Sequence, residues 1–190
     1  MKQSLGAKTI FYPTPVMVIG TYDEEGRPNL ATAAWGGICC SQPPSIAFSL
    51  RQATYTYHSV MARRAFTVNV TTRPLVEAAD YAGLVSGRDA NKFEVLGLTP
   101  VRSELVDAPY AEEFPLVLEC KLTHTVAIGL HTQFIGEILD VKLDENMLDS
   151  RGKPDINALQ PVFFAPGPQL YFAVGEMAGR AFKCGEKYIK

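Results

Sequence analysis

The sequence predicts a mainly β fold of the α+β kind, an antiparallel barrel with helices packed outside it. Three observations lead there. Segments such as 45–51 and 115–126 alternate large apolar with polar residues, the period of a half-buried strand. Turns, rather than regular strand–helix alternation, join most of these segments. Only two or three stretches have helical spacing, too few for a doubly wound sheet. The reading is about seven strands in a single domain, residues 1–190.

Pro15–Tyr22 is dense in Val, Met and Ile on both faces and reads as a buried strand. Asp23-Glu24-Glu25-Gly26 is a hairpin turn in which glycine supplies the positive φ. Asn29–Trp35 returns as a strand of small residues, ended by Gly36-Gly37. Cys39–Pro44 reads as a loop whose exit is fixed by Pro43-Pro44. In the strand Ser45–Arg51, Ile46, Phe48 and Leu50 share one face while Ser49 and Arg51 share the other. Thr54 then caps a helix over 54–63, with Tyr57, Val60 and Met61 along one side. Ala65–Val70 is a fourth strand. Leu75, Ala78, Ala79, Ala82 and Val85 follow helical spacing, with Pro74 in the first turn and Gly87 past the end.

Ser86–Phe93 reads as a polar loop. Pro115–Val126 and Thr132–Leu143 form a hairpin about Gly129, with Leu116, Leu118, Cys120 and Leu122 on its apolar face. Residues 144–170 are rich in Pro, Asp and Gly and read as irregular. The length of 144–168 marks it as a functional loop or a partner-covering arm. Gln169–Val174 is the last strand, followed by a basic tail.

Composition narrows the function. An apolar fraction of 47%, a charged fraction of 20% and a net charge of −2 are those of a soluble globular chain. No basic stripe suits a nucleic acid, and no apolar run approaches a membrane span. The N-terminus lacks the pattern of a signal peptide, so a cytoplasmic location is expected. The four cysteines are Cys39, Cys40, Cys120 and Cys184. They form no CxxC pair, no metal site is expected, and free thiols suit a reducing compartment.

The segment around Arg51 carries the chemistry. A hydroxyl (Ser49), a guanidinium (Arg51) and a helix N-terminus at Thr54 come within a few residues. Each can bind a phosphate, by charge-assisted bonds or by free N–H groups and the helix dipole. An edge strand with a solvated arginine and an ordinary capped helix would have the same pattern.

Taken together, these pieces resemble the flavin reductase-like family of FMN-binding split barrels, whose fold is Greek-key-like with flanking helices. The resemblance rests on Thr14-Pro15-Val16, on Asn29-Leu30-Ala31-Thr32-Ala33-Ala34-Trp35, and on Pro43-Pro44 followed by Ser49-Leu50-Arg51 and Thr54-Tyr55-Thr56. Phe66-Thr67-Val68-Asn69, Ser86-Gly87-Arg88-Asp89 with Lys92-Phe93, and the hairpin from Gly129 to Glu137 continue it. It covers nearly the whole chain and is strongest toward FMN-carrying electron-transfer members.

The resemblance implies an FMN site. Asn29, Thr32, Ala33, Ala34 and Trp35 would lie against the ring, where small residues let a flat group approach the backbone. Ser49, Leu50, Arg51, Thr54 and Thr56 would hold the phosphate and neighbouring oxygens. Ser86 and Lys92 would follow from the polar loop, His131 from the late hairpin, and Phe164 from the 161–168 cover. A homodimer is implied, with the flavin at the subunit interface. NAD(P)H or a redox protein would be the electron partner. No GxGxxG marks a separate nicotinamide domain, so NAD(P)H would stack directly on the flavin.

Two other readings stand beside this FMN oxidoreductase. A non-enzymatic barrel could hold FMN or another ligand, although no axial histidine for haem is evident. A thiol redox protein could use Cys39 and Cys40, although no cationic neighbour in sequence lowers their pKa.

Overall fold

The computed structural model describes residues 1–189. The chain opens with β1 (Thr14–Pro15) and the hairpin of β2 (Met17–Tyr22) and β3 (Pro28–Ala33). A second hairpin, β4 (Gly36–Ser41) and β5 (Pro44–Arg51), leads into α1 (Tyr55–Arg63) and β6 (Ala65–Val70). Helices α2 (Val76–Leu84) and α3 (Lys92–Leu96) precede the short pair β7 (Pro100–Arg102) and β8 (Pro109–Ala111). The long hairpin β9 (Leu116–Ile128) and β10 (His131–Leu143) follows. The last elements are α4 (Ile156–Leu159), β11 (Val162–Ala165) and β12 (Leu170–Ala173).

Seven strands form one antiparallel sheet in the order β3-β2-β6-β9-β10-β5-β4. Its two edges, β3 and β4, are consecutive in the chain, with only Ala34 and Trp35 between them. So short a link spans about 11 Å at most. The sheet must therefore curl until the end of β3 comes near the start of β4, and the Ser49 amide donates to the carbonyl of Trp35 in that link (2.9 Å), continuing the β4–β5 ladder.

The inside of the barrel is filled by residues that the strand period selects. Ile19, Phe48, Phe66, Val68, Leu118, Cys120, Leu122 and Phe134 form one buried cluster. Phe48 meets Phe66 edge-on at 4.9 Å and stacks on Phe134 at 5.4 Å. Gly136 on β10 lets the Phe66 ring lie close, since a Cβ there would stand 2.4 Å from it. A second cluster, outside the barrel wall, packs Val18, Leu30 and Val117 against Ala79 and Ala82 of α2 and Phe93 of α3. Glu119 of β9 is fully buried, with the Lys142 ammonium 3.5 Å away and no hydrogen-bond donor on either carboxylate oxygen.

Several expectations need correction. Cys39–Pro44 is not a loop: residues 36–41 are the edge strand β4. It is largely exposed, so burial imposes no alternation on its sequence. Ser86–Phe93 ends in α3, whose Asn91 side chain accepts from the Glu94 amide as a cap. The irregular 144–170 stretch contains α4 and β11. The pair β7–β8 has no counterpart in the sequence reading. Thr54 stands at the N-cap position of α1, but its hydroxyl donates to the Arg51 carbonyl (2.8 Å) and caps nothing.

Candidate functional site

That misdirected hydroxyl leaves the start of α1 open. The first-turn N–H groups have no side-chain acceptor, and no acidic residue lies in the first turn. A helix end of this kind attracts an anion. It borders a cleft of about 330 Å³, bounded by Ala31 and Thr32 of β3, Leu50 of β5, and Thr54, Tyr55 and Thr56. The loop after α2 forms the other wall, with Ser86, Gly87 and Arg88.

The cleft is stiffened from behind. The Asn29 amide donates to the Thr56 hydroxyl oxygen (3.0 Å), both residues being buried. Gly87 passes so close that a Cβ would stand 2.3 Å from Asn29 and 2.5 Å from Tyr55. Tyr55 donates to Asp23 (2.7 Å) and carries the Arg88 guanidinium over its ring at 5.5 Å. Burial opposes the Asp23 charge, but bonds from Tyr55 and Arg27 outweigh it and hold that carboxyl below the ordinary range.

Lys92 closes the inner end. Its side chain is 2% exposed, and Nζ donates to the carbonyls of Leu30 (2.6 Å) and Ala82 (2.7 Å). Ala82 lies in the last turn of α2, whose carbonyls lack helical partners. Leu30 lies on the edge strand β3. Burial pushes the Lys92 ammonium down to about 8.

A second cleft, of about 390 Å³, adjoins the first and shares Thr32, Gly83 and Leu84 with it. Its walls are Val16, Ala34, Leu84, Phe164 and Tyr171. The Tyr171 hydroxyl donates to Asp80 (2.7 Å) and is pushed up to about 12, first by burial and then by that carboxylate. Thr32 donates to the Ala79 carbonyl and so pins β3 to α2 between the clefts.

The structure sorts the sequence-derived residues. Thr32, Leu50, Thr54, Thr56, Ser86 and Lys92 meet in the first cleft, and Ala34 and Phe164 line the second. Asn29 stands behind Thr56. Ser49 and Arg51 continue along β5, opposite Gln133 and His131 of β10, with Trp35 exposed in the link between β3 and β4. Ala33 belongs to the barrel core, where the strand period turns it away from Thr32 and Ala34, so its side chain cannot meet a ring with theirs. Lys92 sits on a helix and is buried, not in an open loop. Sequence reasoning missed Tyr55, Gly83 and the wall function of Arg88. Tyr55 and Arg88 lie in stretches that carry the family resemblance, Thr54-Tyr55-Thr56 and Ser86-Gly87-Arg88-Asp89, whereas Gly83 is one small residue within a helical run.

A small-residue strand edge, an uncapped helix start and an ammonium at the closed end suit a flat, phosphorylated ligand. The sequence pattern of the flavin reductase-like domain matches residues 9–173. The chain belongs to the flavin reductase-like family. The flavoredoxin of Desulfovibrio vulgaris (Miyazaki F) is 58% identical, with a TM-score of 0.93, over 97% of this chain and 100% of that one. A flavoredoxin from Methanosarcina acetivorans is 29% identical, with a TM-score of 0.91, over 100% of both chains. A flavin reductase-like protein of Shewanella frigidimarina, described as putative and as having a split barrel domain, is 26% identical with a TM-score of 0.79 over 89% of this chain and 86% of that one. The flavin reductase-like chain is thus a split barrel of flavoredoxin-like sequence and structure. Among its described residues no helix is long and apolar enough to cross a membrane.

Proposed function

We propose that this protein is an FMN-carrying oxidoreductase of the flavoredoxin kind, a cytoplasmic homodimer that passes electrons through the bound cofactor. The observation that carries the reading is the pair of adjoining clefts on either side of Thr32, in a chain 58% identical to a flavoredoxin. Bound FMN would supply the redox chemistry, taking up electrons from a reduced nicotinamide or a reduced protein and handing them on.

The chain's own residues bind, orient and screen. The open start of α1, with the Thr54 and Thr56 hydroxyls, offers donors to a phosphate. Arg51 makes no ion pair or side-chain hydrogen bond among the described residues, so its guanidinium remains available to that phosphate or its neighbours. Ser49 and His131 flank it along the β5–β10 ladder. Phe164 and Tyr171 restrict water on the other side of Thr32. Exposed apolar side chains at Ile38, Val126, Ile128 and Leu130 support burial against a second copy.

A visible spectrum of the purified protein is the first test: oxidised-flavin bands are expected, and a colourless protein that fails to bind added FMN would overturn the reading. Arg51→Ala should weaken FMN binding by about 2–3 kcal/mol, read by titration of flavin fluorescence. Sedimentation should find two copies per particle. A second reading, an NAD(P)H-dependent reductase that releases reduced flavin, is favoured by the open cleft beside Ala34 and Leu84, which has room for a second ring. Anaerobic mixing with NADH and NADPH followed by gel filtration separates the two: reduced flavin found free of the protein indicates the reductase, and flavin that stays bound leaves the carrier, fed by the nicotinamide if it bleaches and by a protein if it does not.

A further inference from the structure

Lys92 has no carboxylate partner. Its ammonium is held only by two backbone carbonyls, and burial is the sole cause of its depressed pKa. Both carbonyls need a donor in any state, because Ala82 ends a helix and Leu30 sits at a sheet edge. A neutral amine still has two N–H groups, enough for both carbonyls. Losing the proton therefore need not disturb the wall. What changes is the third position on Nζ, which turns from an N–H donor into a lone pair.

Lys92 lines the first cleft, so that third position matters to whatever binds there. We propose that Lys92 couples ligand binding to proton uptake: an anionic or carbonyl oxygen seated against Nζ holds the third proton in place. One proton moves from solvent to the amine whenever the free protein binds in its neutral form. The inference rests on the FMN reading for its ligand, whose phosphate and ring carbonyls are the two possible sources of such an oxygen.

The surrounding charges leave this coupling to Lys92. Arg88 and Tyr55 share the cleft, but the guanidinium stays cationic, and burial with the Asp23 bond keeps the Tyr55 phenol above its ordinary range. On α2, Asp80 is engaged by Tyr171 and Glu77 is exposed. Asp89 on the loop and Glu94 on α3 are exposed as well. The β3 residues Ala31 and Thr32 carry no charge.

The test is calorimetry on the flavin-free protein in buffers of different ionisation enthalpy, at about pH 7, above the second ionisation of a phosphate near 6 and below that of Lys92, and at about pH 9. FMN binding should take up close to one proton at the higher pH and almost none at the lower. Lys92→Arg should abolish the uptake while keeping a cation in the wall. Lys92→Gln, checked by its melting profile, serves if arginine does not fit. Riboflavin and inorganic phosphate identify the source: uptake with phosphate but not riboflavin assigns the phosphate group, and the reverse assigns the ring carbonyls. FMN binding with no proton uptake at about pH 9, or uptake that persists in both variants, overturns the inference. If FMN does not bind at all, the FMN reading fails, and the phosphate arm decides alone: uptake upholds the lysine's role and its absence overturns it.

Discussion

Two buried charges, Lys92 between β3 and α2 and Glu119 in the middle of the sheet, are held under opposite conditions. Lys92 has ideal hydrogen bonds and no counter-ion; Glu119 has a counter-ion, Lys142, and no hydrogen bond. Lys92 faces a cleft, whereas Glu119 lies in the β6–β9–β10 part of the sheet beside Thr67 and Asp140. Charge without a partner is costly in the interior, and it survives best where a ligand can complete it. A salt bridge with unsatisfied oxygens, by contrast, adds little stability beyond what an apolar pair would give.

Substitutions should separate the two. The largest effect is expected from Lys92→Met, which orphans two buried carbonyls and should lower stability by about 2–4 kcal/mol in denaturant titration. An unchanged midpoint would show that the surrounding chain can satisfy Leu30 and Ala82 by itself. Lys142→Met strands the Glu119 carboxylate, but Lys142 is 34% exposed. The loss there should be smaller, about 1–2 kcal/mol, with FMN affinity untouched. Glu119→Gln should fall below about 1 kcal/mol in either direction, because the charge it removes was poorly solvated and the amide it adds finds Asp140 nearby.

The pH dependence sharpens the contrast further. Lys92 titrates near 8 when folded against an ordinary value of 10.5, so the unfolded chain holds more protons between those values. The Lys92 contribution to stability therefore rises with pH across about pH 8 to 10.5, its penalty being fully present below that window, while the buried Cys120 thiol and the raised tyrosines work in the opposite sense, so the effect is read as a difference against a Lys92 variant. The difference in unfolding free energy between wild type and Lys92→Met should shift in favour of the wild type over this range. A flat difference would mean that the ammonium is better solvated than its burial indicates.

How much of this was visible in the sequence depended on burial. Strands that carry large apolar residues on the barrel face and small or polar ones on the other, β5 above all, announce themselves by alternation. The edge strand β4 is exposed along most of its length and carries no such imprint. Helix α3 has five residues, too few for a periodic signal, and only its Asn91 cap hints at it. At the site, Lys92 was found through family resemblance; nothing in its neighbours' types announces two backbone carbonyls brought from 10 and 62 residues away. That the Ala33 side chain turns into the core was not legible, because a run of small residues hides which way each one points. Tyr55 escaped because its role comes from Asp23, across the hairpin turn.

The edge strand has a practical consequence. Cys39 and Cys40 are free and exposed on β4, and the bulge between Ile38 and Cys40 leaves Cys39 without a register partner on β5. Air oxidation could join two molecules through these thiols and imitate an assembly that the folded surfaces do not make. Particle mass should therefore be measured in reductant, and again after both thiols are blocked with an alkylating reagent. The same pair offers a place to attach a dye on that edge strand without touching either cleft.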